Sequence, residues 1–234
     1  PTTLEYFASL VQSDEHFPLL EAAASLAQDE YPELDIQQVL DQVDQLGSRL
    51  KQRLPADAGA LQKLRVLNKF FFDEQGFSGN LNNYYDPDNS YLHVMLRTRR
   101  GIPISLAVLW LELALGLGLN AQGVGFPGHF LVTVRLPFPN EGQVVIDPFT
   151  GESLSKEDLS ERLVPLHAES GLLREGHVSD ELLKHYLRAA TPREIVARML
   201  RNLEEVYTSH QDAERLMSVR QRLAVLLPQA QDQK

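Results

Sequence analysis

The sequence predicts an α+β protein in which an apolar helix packs on a small antiparallel sheet, with helical regions before and after. Three observations carry this. Residues up to about 75 and beyond about 153 place apolar side chains at helical spacing, the stretch 103–117 is apolar on nearly every side, and three strand-like runs follow it closely.

The first region, 1–75, reads as helices. Thr2 and Glu5 have capping-box spacing ahead of Tyr6, Phe7, Leu10 and Val11, and a second helix is expected from Pro18 to Glu30. After Asp35, the residues Ile36, Val39, Leu40, Val43, Leu46 and Leu50 form one apolar stripe with acids and glutamines opposite. Leu61, Leu64, Leu67, Phe70 and Phe71 repeat the pattern before Gly76. These are packing faces.

The second region, 76–152, opens with Gly79-Asn80-Leu81-Asn82-Asn83-Tyr84-Tyr85-Asp86-Pro87-Asp88-Asn89-Ser90, a run of turn formers that excludes a regular helix or central strand. A short element over Tyr91–Leu96 precedes the apolar helix from Pro103 to Leu117. Strands are expected at Ala121–Phe126, His129–Leu136 and Gln143–Ile146, the last two joined as a hairpin through Pro137–Gly142.

The third region, 153–234, is helical again. Ser155 with Asp158 starts a short helix, Ser179–Ala190 forms another, and Thr191-Pro192 supplies the N-cap and first residue of a long one. That helix carries Ile195, Met199, Leu200, Leu203, Val206 and Tyr207 on its inner face. Its partner, 211–227, is expected to point Ala213, Leu216, Met217, Leu223 and Leu227 inward, with Pro228 closing a hairpin over 191–228.

Composition narrows the function classes. With 32 acidic and 22 basic side chains the net charge is −10, which argues against electrostatic binding to nucleic acid or to an anionic membrane surface. No apolar run reaches the ~18 to 20 residues of a membrane span, and Pro1–Glu5 lacks the basic leader of a signal peptide, so a cytoplasmic protein is expected. The absence of cysteine removes thiol catalysis, disulfides and zinc-thiolate sites together. Seven histidines lie scattered without metal-ligand spacing, and Asp86, Asp88, Asn89 and Ser90 lack the glycine and terminal glutamate of a calcium loop. No metal and no cofactor are expected.

Chemistry concentrates around the apolar helix. His129 follows Phe126-Pro127-Gly128 at the start of one strand, and Asp147-Pro148 ends the next. If the two strands pair, a carboxylate meets an imidazole at neighbouring ends and can orient it. The equally simple reading is a capped strand end and a turn. The first turn of the helix offers unpaired amides and a positive dipole end, where a nucleophile is usefully placed, and Ser105 is its hydroxyl. Ser105, His129 and Asp147 therefore form a candidate triad for a hydrolase or acyltransferase, against a structural role for each. Arg97, Arg99 and Arg100, just before the helix, are candidates for holding a carboxylate or phosphate, with Asn83 and Tyr84 on the preceding loop.

Gly101-Ile102-Pro103-Ile104-Ser105-Leu106-Ala107, Leu117-Gly118-Leu119, Gly128-His129-Phe130 and Val145-Ile146-Asp147-Pro148, in that order, resemble the core of the transglutaminase-like superfamily of papain-type folds. The loop Gly79–Leu92, the Gly-Ile-Pro-Ile-Ser-Leu run and Phe126–Phe130 further resemble the N-terminal type of the bacterial SirB family of transglutaminase-like/tetratricopeptide-repeat proteins. The resemblance implies a papain/transglutaminase-like core flanked by N-terminal helices and a tetratricopeptide-like hairpin. It also implies that His129 is the base and Asp147 its orienter. Anchoring the superfamily's Gly-x-Cys and the alanine four residues later on Gly101 and Ala107 puts Pro103 where the nucleophilic cysteine belongs. Ser105, two residues on and about 200° around the helix, does not inherit that place. The resemblance thus implies a degenerate site whose cleft binds a peptide or protein partner.

Overall fold

The computed structural model describes residues 1–228. Among them are ten α-helices and eight short strands, and the principal hydrophobic core takes in residues from all three regions. Helices α1 (Thr3–Leu10), α2 (Leu19–Ser25), α3 (Ile36–Lys51) and α4 (Ala60–Asn68) form the first region. Thr2 and Glu5 cap α1 reciprocally, and the Asp35 carboxylate accepts the Gln37 amide of α3 at 3.0 Å. The expected second helix is shorter than 18–30. Beyond Ser25 the amides of Leu26, Ala27 and Gln28 bond three residues back and the Ser25 hydroxyl takes the Ala22 carbonyl, so the chain tightens into turns. α4 runs into a π-helical turn, Lys69–Glu74, that points both Phe70 and Phe71 into the core.

Strand β1 (Ser78–Gly79) pairs in parallel with β2 (Arg100–Gly101), and between them lie a 3₁₀ turn at Pro87–Ser90 and helix α5 (Leu92–Thr98). α6 (Pro103–Gly116) follows. Every residue from Pro103 to Leu111 is buried, as expected of a helix without a polar face, because α2, α3, α4, α5, α9 and the sheet surround it.

β3 (Asn120–Val124), β4 (Leu131–Leu136), β5 (Gly142–Ile146) and β6 (Ser153–Leu154) make one antiparallel sheet in that order, with Val132 opposite Ile146. Side chains alternate across it. Val132, Val134 and Ile146 join the α6 core, while Leu131 and Val145 join a second cluster with Leu159, Leu163 and Leu183 from α7 (Lys156–His167) and α8 (Asp180–Tyr186). α8 stops short of the expected Ala190, whose amide instead bonds the Gly123 carbonyl of β3 at 2.8 Å. A small hairpin, β7 (Leu173–Arg174) with β8 (His177–Val178), precedes α8.

α9 (Pro192–Ser209) and α10 (Ala213–Leu226) close the described chain as an antiparallel pair, with Thr191 capping α9. The expected inner face of α10 needs correction. Leu216, Leu223 and Leu227 pack against the core as expected, but Ala213 and Met217 are exposed, and Val219, Arg222 and Leu226 face inward, because α10 packs on both α9 and α1. Arg222 is buried there against Asp29 and the ring of Phe7. Among the described residues no helix is long and apolar enough to cross a membrane.

Candidate functional site

A cleft of about 290 Å³ opens between the first turn of α6, the turn before β4, the loop over residues 80–90 (the 80s loop) and α9. Its walls include Pro103, His129, Tyr84, Tyr85, Arg198 and Glu205. The sheet wall is built by the turns that end two paired strands. His129 Nε2 and Asp147 Oδ1 are 2.7 Å apart, so the imidazole donates from Nε2 and leaves Nδ1 as its second nitrogen. The same Oδ1 accepts the Phe149 amide at 2.8 Å, and Oδ2 accepts from Arg162 of α7 at 3.4 Å.

Burial raises the Asp147 carboxyl, but the hydrogen bond and charge of His129, the Phe149 amide and Arg162 outweigh it and hold the group below its ordinary range. Phe149 covers the pair. Its ring stands edge-on to His129 and lies directly over Gly79, where any Cβ would fall 2.1 Å from a ring carbon.

The helix wall has a different chemistry. Pro103 is the first residue of α6 and lines the cleft, with no side-chain donor or acceptor and no amide hydrogen. Ser105 is fully buried and is absent from the cleft's walls. Its hydroxyl donates to the Asn89 carbonyl at 2.6 Å and accepts the Ile102 amide at 3.1 Å, which ties the helix start to the 80s loop. Gly101 makes this possible, since a Cβ there would stand 2.8 Å from Ser105 Oγ and from Met95 Sδ. The structure therefore brings His129 and Asp147 together, places Pro103 in their cleft and directs Ser105 elsewhere.

Of the other sequence candidates, Tyr84 lines the cleft and Asn83 is exposed, its amide donating to Asp86 at 3.3 Å. Arg99 and Arg100 point away from the cleft. Arg100 donates to the Gly76 carbonyl at 2.9 Å, and Arg99 lies 4.6 Å over the Phe77 ring at the mouth of a separate groove. The calcium-like cluster is a structural turn. Asp86 caps it, Asp88 accepts from Tyr31 at 2.5 Å, and buried Asn89 holds the carbonyls of Asn83 and Tyr84. Among the described residues no group of three or more His, Asp or Glu could hold a metal ion.

Sequence reasoning missed the α9 wall. Arg198, Asn202 and Glu205 recur at i, i+4 and i+7, a polar stripe beside the apolar one, and that stripe lines the cleft. Ser90 was also missed as a lining residue. Arg198 donates to the Phe126 carbonyl at 3.2 Å, and burial lowers its guanidinium below the ordinary arginine range.

The cleft thus sets an imidazole from the turn before β4, bound to a carboxylate, against the N-terminus of a buried helix. Residues 37–201, from α3 into α9, match the family model described as the transglutaminase-like superfamily. The chain belongs to the transglutaminase-like superfamily. The match takes in the sheet and α6 walls of the cleft and, on α9, Arg198. The transglutaminase-like chain is also 39% identical over 217 residues to a UPF0162 protein of Xylella fastidiosa, covering 92% of this chain and 74% of that one. A UPF0162 protein of Pseudomonas aeruginosa is 32% identical over 195 residues, 82% of this chain and 65% of its own length. A shorter stretch of 71 residues is 42% identical to human F-box only protein 21, covering 30% of this chain and 11% of that protein.

Proposed function

We propose that this transglutaminase-like protein is a pseudoenzyme whose cleft binds a peptide or protein segment. The reading includes the closer kinship, suggested by the sequence, to the N-terminal type of the SirB family. One observation carries it: Pro103, at the helix position that the superfamily resemblance gives to the nucleophile, lines the cleft with His129 and offers no nucleophile there. An oriented imidazole without a partner to deprotonate is a hydrogen-bonding group. With Tyr84, Tyr85, Arg198 and Asn202 it lines a cleft whose mixed aromatic and polar walls suit a peptide chain.

The alternative, a hydrolase or acyltransferase using Ser105, His129 and Asp147, is disfavoured because the Ser105 hydroxyl is fully buried and bonded to Asn89 and Ile102. The test is an assay of the purified chain with glutamine-containing peptides, amines and activated esters, alongside labelling by a serine-directed fluorophosphonate. No turnover and no label on Ser90 or Ser105 are expected. Turnover that disappears in His129→Ala would overturn the proposal.

A further inference from the structure

A second depression, of about 510 Å³, runs between α3 and α5 on a face that shares no residue with the cleft. Its floor is apolar, made by Leu34, Val39, Leu46 and Leu96. One rim carries Gln38, Gln42 and Gln45, exposed along α3, and the last turn of that helix adds Arg49. The opposite side contributes His93, Arg97 and Arg99 from α5 and its C-terminal residue. Three arginines and no carboxylate line this groove, in a chain of net charge −10.

The cations are not matched elsewhere. No carboxylate lies within ion-pairing distance of Arg49, Arg97 or Arg99 among the described residues, although Arg53, one turn from Arg49, is paired with Glu74 at 2.6 Å. Burial and the neighbouring Arg49 lower Arg99; burial lowers His93, with Asp88 opposing in part and Arg97 adding to the shift. These are repulsions held in place by the fold. Carbonyls at the C-terminal ends of α3 and α5 offset part of the charge. Arg99 is held at the groove mouth by its left-handed backbone, φ 63°, and by stacking on Phe77.

We infer that this groove is a docking site for an extended acidic peptide segment of a partner protein. The apolar floor takes apolar side chains, the glutamine amides can bond a peptide main chain in either sense, and the arginines receive carboxylates at one end. From Gln38 to Arg49 the helix rises about 16 Å, the reach of about five residues of extended chain. The site does not rest on the cleft's being inactive, and either reading can fail alone.

The test uses the whole chain and a fluorescein-labelled hexapeptide of alternating leucine and glutamate, followed by anisotropy, with the leucine–glutamine peptide as its uncharged counterpart. Binding of the acidic peptide is expected, at least tenfold tighter than the uncharged one and weakening as salt is raised. Reversal of two exposed groove cations in Arg49→Glu with Arg97→Glu should weaken it at least tenfold. Lys184→Glu with Arg201→Glu, two exposed reversals on α8 and α9 that change the net charge equally, should cost less than threefold, which separates the groove from net charge. No acidic-peptide binding, equal binding of both peptides, or binding that survives the double reversal would overturn the inference. Full displacement by inorganic phosphate at matched ionic strength would also overturn it, in favour of a phosphate site.

Discussion

On the sheet side of the cleft, the His129 ring is fixed by a carboxylate that is itself bound by a backbone amide and by Arg162; on the helix side, Pro103 presents a ring with nothing to donate or accept. Both walls are closely built, yet only one retains groups that a reaction could use. Proline at the first helical position costs little, because the amide hydrogen it lacks would have had no intrahelical acceptor. The helix start is secured instead by Ser105, whose side chain faces the 80s loop. The contrast teaches that the first turn of α6 performs a structural task on one face whatever happens on the other, so the residue at position 103 can change without disturbing the fold.

The largest effect should come from placing a nucleophile on the helix wall. In Pro103→Cys the thiol would sit at a helix N-terminus in the same cleft as His129, and both features favour the thiolate. Alkylation by iodoacetamide at pH 6, followed by mass spectrometry, should run roughly 10- to 100-fold faster than in the same variant carrying His129→Ala. Equal rates would mean that the two walls do not work on each other. Ser105→Cys should resist alkylation in the folded protein, since that side chain is fully buried.

Next in size is the stability of the helix start. Ser105→Ala leaves the Ile102 amide and the Asn89 carbonyl without their partner in a buried place, which should cost about 2–4 kcal/mol in urea unfolding. A loss below about 0.5 kcal/mol would show that the hydroxyl is dispensable and reopen a chemical role for it.

The comparison also explains what could be read without the structure. Stripes such as Ile36, Val39, Val43, Leu46 and Leu50 are legible because burial imposes a period on one helix. His129 and Asp147 are legible because Phe126-Pro127-Gly128 and Asp147-Pro148 are strong turn formers that fix where the strands end. Arg198, Asn202 and Glu205 are not, since a polar stripe on an amphipathic helix reads as a solvated face until packing turns it toward a cleft. Arg222 was missed for a related reason. Its burial depends on Asp29, distant in sequence, and no local period reports such a partner. The early end of α8 likewise follows from a bond to β3 that propensity cannot foresee.

The smallest of these effects belongs to the sheet wall and depends on pH. Asp147→Asn keeps an oxygen that can accept from Phe149 but loses the charge that Arg162 and His129 face, so a loss of about 1–2 kcal/mol is expected at pH 7. Because the folded carboxyl lies below its ordinary value, near 3.9 in an unfolded chain, the folded state holds fewer protons than the unfolded one between the two values. The contribution of Asp147 is therefore fully present above about pH 5 and is lost as the pH falls through the folded value. Urea midpoints of the natural chain and Asp147→Asn, compared from pH 7 down to pH 3, should draw closer only at the acid end. A constant difference across that range would mean that shape, and not charge, holds this wall together, and the two walls would then differ less than their hydrogen bonds suggest.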